Sequence, residues 1–509
     1  MNPKSRTYNS IVNSLWGIVA SIITTILNFV VRVVLVKSLG EEINGLHNLF
    51  QSIISVMALM EMGLNTAMII HLYAPLKEGN NILTGGIISF YRKLYRLLAF
   101  SFLVVGILIS FTVLNVLVTS SIPIGTVRVY FILFVLSFSI GFLTNYRRCI
   151  LFAEQKNRVS IISTTFSELV FRSVQIVTLF YLKNYYLFLF LLICERICNN
   201  SICNYYVIKH HPYLKNLSGY FLEKKKKIAI FRTVKPLFVN QMANTVQMST
   251  RSILISILLG NVSVVGYFGN YQLVMSVIQL VYGQFGGAFT SSFGNLSVGA
   301  TADQLLKVYR KSAFVMNWVA AIGCSVFICC TDTFIYLVFG SNFVLEELCV
   351  IILTLNLIIY LLNIPIISVQ NALGLHKIDS NYMIIQAATT IGMGFVFGKL
   401  WEMSGIFIGI LVPLFVFTFI LKGILISRHS LGISGLSYLS FALKELCKVT
   451  FTVATSYFIC KMLFVDYSII TLIASLIVAL FVGAIMPLIL SFKQSEMSTL
   501  TNLLTNKRK

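Results

Sequence analysis

Residues 17–32 read GIVASIITTILNFVVR, and residues 236–251 read PLFVNQMANTVQMSTR. In the first stretch Gly17, Ser21, Thr25, Asn28 and Arg32 follow at spacings of four, four, three and four. In the second, Pro236, Asn240, Asn244, Gln247 and Arg251 repeat those spacings 219 residues later. Helical periodicity puts each set on one face of one helix. Both helices are otherwise apolar enough for a membrane. An arginine facing hydrocarbon is costly, so each stripe is expected to face protein or a wet cavity.

The surrounding composition agrees. The chain has 509 residues, of which 57% are hydrophobic and only 11% charged. A soluble domain carries about 25% charged residues. Apolar runs of about 20 residues recur along the whole length, and they are continuous rather than alternating. The sequence is therefore that of an all-α polytopic membrane protein. A formal charge of +22 invites a nucleic-acid reading, but the cations sit in short loops between apolar runs, so no nucleic-acid partner is expected. The ten cysteines lie mostly inside apolar segments without metal-ligand spacing, so no metal site and no cofactor are expected. The first apolar run is long and no small-residue cleavage site follows it, so no cleavable signal peptide is expected.

Fourteen spans are expected, near 11–36, 46–70, 97–119, 129–152, 159–182, 185–207, 236–259, 264–289, 312–338, 346–373, 380–400, 404–427, 444–463 and 467–491. With the N-terminus inside, thirty of the 39 Lys and Arg fall to the cytoplasmic side. Five fall outside (Lys37, Arg128, Lys183, Lys399 and Lys461) and four within spans (Arg32, Arg172, Arg196 and Arg251). Both termini are then cytoplasmic. The repeat runs on past the arginines: Leu39, Gly40, Gly45, Asn48 and Gln51 correspond to Leu259, Gly260, Gly266, Asn270 and Gln272. Two six-helix lobes related by a parallel repeat follow, at 1–207 and 236–427, joined by a basic cytoplasmic linker at 208–235. Two additional helices and a short tail fill 428–509. The linker carries Lys224–Lys227, which reads as a topology anchor or as a basic patch for anionic headgroups.

Short loops, with no Walker loop, HExxH or GxSxG, point away from an enzyme. Two matched halves that each offer a cation suit a transporter for an anionic substrate. Arg32 and Arg251 are candidate cavity cations, because a guanidinium fork binds phosphate oxygens and keeps its charge. The competing reading is a structural arginine, bonded to helix-end carbonyls or snorkelling to an interface. Asn28, Asn240, Asn244 and Gln247 offer amides either to sugar hydroxyls or to neighbouring helices. Glu168 and Arg172, four apart, are expected to pair with each other. Glu195 and Arg196 diverge by about a third of a turn, toward the cavity or a neighbouring helix. Glu61 is a lone carboxylate in the second span, either a coupling group or half of an ion pair.

At this point the residues resemble the Wzx-type polysaccharide flippases of Gram-positive capsule and exopolysaccharide clusters. The matching pieces are Ser5–Arg6–Thr7, Asn9–Ser10, Arg32 through Leu39–Gly40, Gly45–Leu46, Leu49–Phe50, Glu61–Met62–Gly63, Leu72–Tyr73, Pro75–Leu76 and Tyr91–Arg92–Lys93. Gly269–Asn270–Tyr271 and Gly294–Asn295–Leu296 follow in the second half. The likeness runs over most of the chain and has no catalytic signature. That family sits in a superfamily with MATE exporters and MurJ-type lipid II flippases. The resemblance implies two six-helix lobes around a cationic cavity, with Arg32 and Arg251 meeting a diphosphate. It implies export of an undecaprenyl-diphosphate-linked oligosaccharide repeat unit across a bacterial plasma membrane, for capsule or exopolysaccharide synthesis by alternating access. Membrane lipids, a polysaccharide polymerase and the glycosyltransferases of the pathway are the partners that go with it. The alternatives are another transporter of the superfamily, lipid II-type or MATE-like, and then a membrane glycan polymerase.

Overall fold

The computed structural model describes residues 3–491 apart from 62, 155, 298–299, 376–377 and 465. Among these residues the ordered structure is helical throughout, with no strand. The helices are α1 (Pro3–Met57), α2 (Leu64–Lys77), α3 (Asn81–Phe111), α4 (Leu114–Leu117), α5 (Ile124–Asn145), α6 (Arg148–Ala153), α7 (Asn157–Leu182), α8 (Tyr185–His210) and α9 (Lys224–Leu259). They continue as α10 (Val262–Ser297), α11 (Ala302–Phe339), α12 (Glu347–Leu373), α13 (Ser380–Pro413), a π-helical stretch Leu414–Lys422, α14 (Gly423–Ser430), α15 (Gly435–Leu463) and α16 (Ile469–Leu490).

Among the described residues, ten helical stretches are long and apolar enough to cross a membrane. Two of them, Val19–Met57 and Ser380–Ser430, are 39 and 51 residues long, about twice what one crossing needs. Each is broken near its middle. Gly40 adopts φ 85° and ψ 174° inside α1, and Trp401 and Glu402 leave helical geometry inside α13. Each stretch is thus two passes. With α7 and α9 as further long helices, each of the fourteen expected spans overlaps helix, those at 46–70, 97–119 and 129–152 running across a break between helices. The chain is a multi-pass membrane protein. The arms of the α13 hairpin close on Gly405, where a Cβ would lie 1.9 Å from the Phe397 carbonyl oxygen. They close again on Gly409, where it would lie 2.5 Å from the Gly394 Cα. The small residues there serve packing, as expected in a membrane.

The chain divides into two compact units, Met1–Gly266 and Tyr267–Lys509. In the first, α1 packs on α7 and α9, α5 on α3 and α8, and α7 on α8. The helix α9, which opens the second copy of the repeat, thus packs with the first unit. In the second, α11 is the central element and contacts α12, α15 and α16. The two additional C-terminal helices therefore complete the second unit's core rather than standing apart from it.

Candidate functional site

The polar residues of α7 and α8 recur on the faces that these antiparallel helices turn toward each other and toward α5. Arg172 of α7 does not pair with Glu168, four residues before it, as the spacing suggested. Its Nε lies 3.7 Å from Glu195 Oε2 of α8, and its Nη1 donates to Gln175 Oε1 at 3.0 Å. Gln175, completely buried, passes the chain on by donating to the Phe188 carbonyl at 3.0 Å. Glu168 keeps a buried Oε2 with no hydrogen-bond partner among the described residues. The i, i+4 pair gives way because α8 brings the Glu195 carboxylate within 3.7 Å of the same guanidinium.

The adjacent Glu195 and Arg196 separate as their divergence allows. Glu195 turns to α7, and Arg196 turns to α5, where its guanidinium carbon sits 4.5 Å from the centroid of the Phe138 ring. Among the described residues the Arg196 guanidinium makes no hydrogen bond. It lies within Coulombic reach of both Glu61 and Glu168. Glu61 ends a 3₁₀ turn, Ala58–Glu61, just before Gly63 breaks the chain into α2, and its carboxylate accepts a 2.8 Å hydrogen bond from Tyr95 of α3. Toward the α6 end, Asn199 accepts from Ser163 at 2.9 Å, and Arg148 donates to Thr164 at 2.6 Å. Among the described residues, one guanidinium and two carboxylates without an ionic partner within 4 Å thus share the interior of the first unit. Such groups inside membrane helices mark ion or proton pathways more often than packing.

The arginines of the two stripes sit differently. Arg32 is partly buried and braces the Gly40 kink. Its Nη1 donates to Asn48 Oδ1 at 2.8 Å, beyond the kink, and its Nη2 to the Gly266 carbonyl at 3.4 Å. Asn28, one turn earlier, is exposed. Arg251 is 5% exposed, within α9. The side chains of Pro236, Asn240, Asn244 and Gln247 lie outside the described residues. Among the intramembrane charges that the sequence reading passed over are Lys422, which pairs with Asp379 at 2.9 Å, and Asp332 of α11, which accepts a 2.6 Å hydrogen bond from the Tyr271 hydroxyl. The signal for Asp332 was an acid seven positions before the end of a long apolar helix.

Solved structures share this architecture. A lipid II flippase MurJ in an inward closed conformation superposes with a TM-score of 0.69 at 15% identity, over 95% of this chain and 99% of that one. An inward-facing multidrug resistance MATE family transporter of the MOP superfamily gives 0.68 at 12% identity, over 85% of this chain and 98% of that one. An outward-facing structure of such a transporter gives 0.55 at 13% identity, over 85% and 96%. No protein-family model and no curated protein matches the sequence. The chain shares the fold of these MurJ and MATE structures.

Proposed function

We propose that the protein is a flippase that carries an undecaprenyl-diphosphate-linked oligosaccharide repeat unit from the inner to the outer leaflet of a bacterial plasma membrane, for capsule or exopolysaccharide synthesis. The observation that carries this reading is the likeness to a lipid II flippase over nearly the whole of both chains. The MATE structures leave about 15% of this chain uncovered. The matched stripes ending in Arg32 and Arg251 support an anionic substrate, because a guanidinium suits a diphosphate in a low-dielectric site. In this reading α1 and α9 present the two cations and the amides of Asn28, Asn240, Asn244 and Gln247. Both termini are cytoplasmic, and the cluster of Glu61, Glu168, Arg172, Glu195 and Arg196 couples the conformational cycle to an ion gradient.

Transport of a lipid-linked oligosaccharide into proteoliposomes tests it. Arg32→Ala and Arg251→Ala are each expected to lower the initial rate at least about tenfold, with the double variant far less than additive because both sites serve one group. Lysine restores charge but not the fork, so Arg32→Lys and Arg251→Lys should recover only part of the rate. Wild-type rates in both alanine variants, at normal abundance, would remove the arginines from the substrate site. Accumulation of an organic cation with no turnover of the lipid-linked glycan would favour the exporter reading.

A further inference from the structure

The segment between α8 and α9 is not a loose connection. It turns back over the N-terminal end of α3 and is held there at several points. His211 Nε2 and Lys156 Nζ lie 3.0 and 2.9 Å from the Glu154 carboxylate. Arg147 Nη2 donates to the Leu214 carbonyl at 3.0 Å, and Ser89 Oγ donates to the Leu217 carbonyl at 3.2 Å. Leu214 and Leu217 are completely buried, and Leu222 nearly so. Two glycines of α3 leave the room: a Cβ on Gly86 would lie 2.8 Å from the Phe221 carbonyl oxygen, and one on Gly85 2.6 Å from the Tyr220 ring.

A strap fixed in this way delivers its last residues to a defined place. Phe221 is 81% exposed although both its neighbours in the chain pack inward. Three residues later Lys224, Lys225 and Lys226 are all exposed at the start of α9. Lys227 instead lies 5.5 Å from the centre of the Phe90 ring, which meets Phe231 edge-on at 6.1 Å, so the first turns of α9 are pinned to α3. Ile228 and Arg232 are exposed along the same turns, and the acid facing this run is Glu223. Exposed apolar side chains interleaved with cations, at the end of a helix that enters the membrane, match the chemistry of the lipid interface, where apolar groups seat below the phosphates and cations sit among them.

We propose that the strap and the first two turns of α9 form a fixed docking surface for anionic phospholipid, with Lys224, Lys225 and Lys226 on headgroup phosphates and Phe221 and Ile228 among the upper acyl carbons. The site stands apart from the substrate reading above, because it uses none of those residues. The full-length Phe221→Trp protein, reconstituted with phosphatidylglycerol or phosphatidylcholine brominated high on the acyl chains, reads the contact directly as quenching over the parent protein. Phosphatidylglycerol is expected to quench about threefold more strongly, because cations concentrate anionic lipid locally. Adding Lys224→Gln, Lys225→Gln and Lys226→Gln should bring the two lipids level, with an unchanged thermal midpoint confirming the fold. Equal quenching in the lysine-intact protein, or a preference that survives the triple change, would overturn the proposal. So would loss of the preference on adding inorganic phosphate at matched ionic strength, which would mark a site for the free anion.

Discussion

Gly45 and Gly266, corresponding positions in the two copies of the sequence repeat, lie against each other: a Cβ on Gly266 would come within 3.2 Å of the Gly45 Cα. The contact joins α1, just beyond its kink, to the start of α10, and both residues belong to the first unit. Arg32 sits on the same crossing through Asn48 and the Gly266 carbonyl. The repeat is thus a physical contact as well as a pattern.

The crossing should be intolerant of bulk. A Cβ at Gly45 would lie 2.0 Å from the Val262 carbonyl oxygen, and a backbone atom cannot swing aside as a flexible side chain can. Gly45→Ala is expected to cost about 1–3 kcal/mol and to lower both the thermal midpoint and membrane abundance. Gly125→Ala is the matched control, since no atom lies within 4 Å of its Cβ position. Equal midpoints for the two variants would show that the crossing yields.

Glu61 separates charge from shape. Its carboxylate accepts from the Tyr95 hydroxyl at 2.8 Å, and an amide oxygen can accept the same bond. Glu61→Gln should therefore leave abundance and thermal midpoint unchanged and still lower transport, if the negative charge takes part in coupling. Tyr95→Phe does the reverse, keeping the charge and removing its donor. Normal turnover by Glu61→Gln would take this carboxylate out of the cycle.

The Arg172–Glu195 pair predicts a non-additive series. Removing one member leaves a buried charge without its counter-ion, a loss of about 3–5 kcal/mol. Arg172→Ala and Glu195→Ala should each deplete the protein from the membrane, and the double variant should recover most of the loss. A self-paired Arg172–Glu168 would show the rescue with Glu168→Ala instead, so comparing the two double variants tests the partner seen here.

The strap supplies a pH dependence. Burial pushes the Glu154 carboxyl up, but the hydrogen bonds and charges of His211 and Lys156 outweigh it and hold it down at about 2. A depressed carboxyl stabilises the fold above its ordinary value of 4.5, and that contribution drains away as the pH falls from there through about 2. Its size is on the order of 2 kcal/mol. Unfolding midpoints measured between pH 6 and pH 3 should fall less steeply for Glu154→Gln than for the wild type. Parallel curves would show that the latch adds no stability.

The sequence alone determined the membrane class, the fourteen crossings and the repeat, because each rests on local periodicity. Apolar runs of one bilayer's length and a four-four-three-four stripe are visible without any partner. It also made Arg32, Glu61, Arg172, Glu195 and Arg251 conspicuous as charges inside apolar runs, while Asp332, nearer a helix end, was passed over. Only the tertiary structure decided what those charges touch. Arg172 took Glu195 from a neighbouring helix over Glu168 on its own, Arg196 turned to Phe138, and Arg32 reached across a kink to Asn48. It also turned a basic linker into a strap clamped on α3. The reason is geometric. Spacing along one helix says which residues share a face, but the partner on that face comes from another helix, at a distance in sequence that no local period encodes.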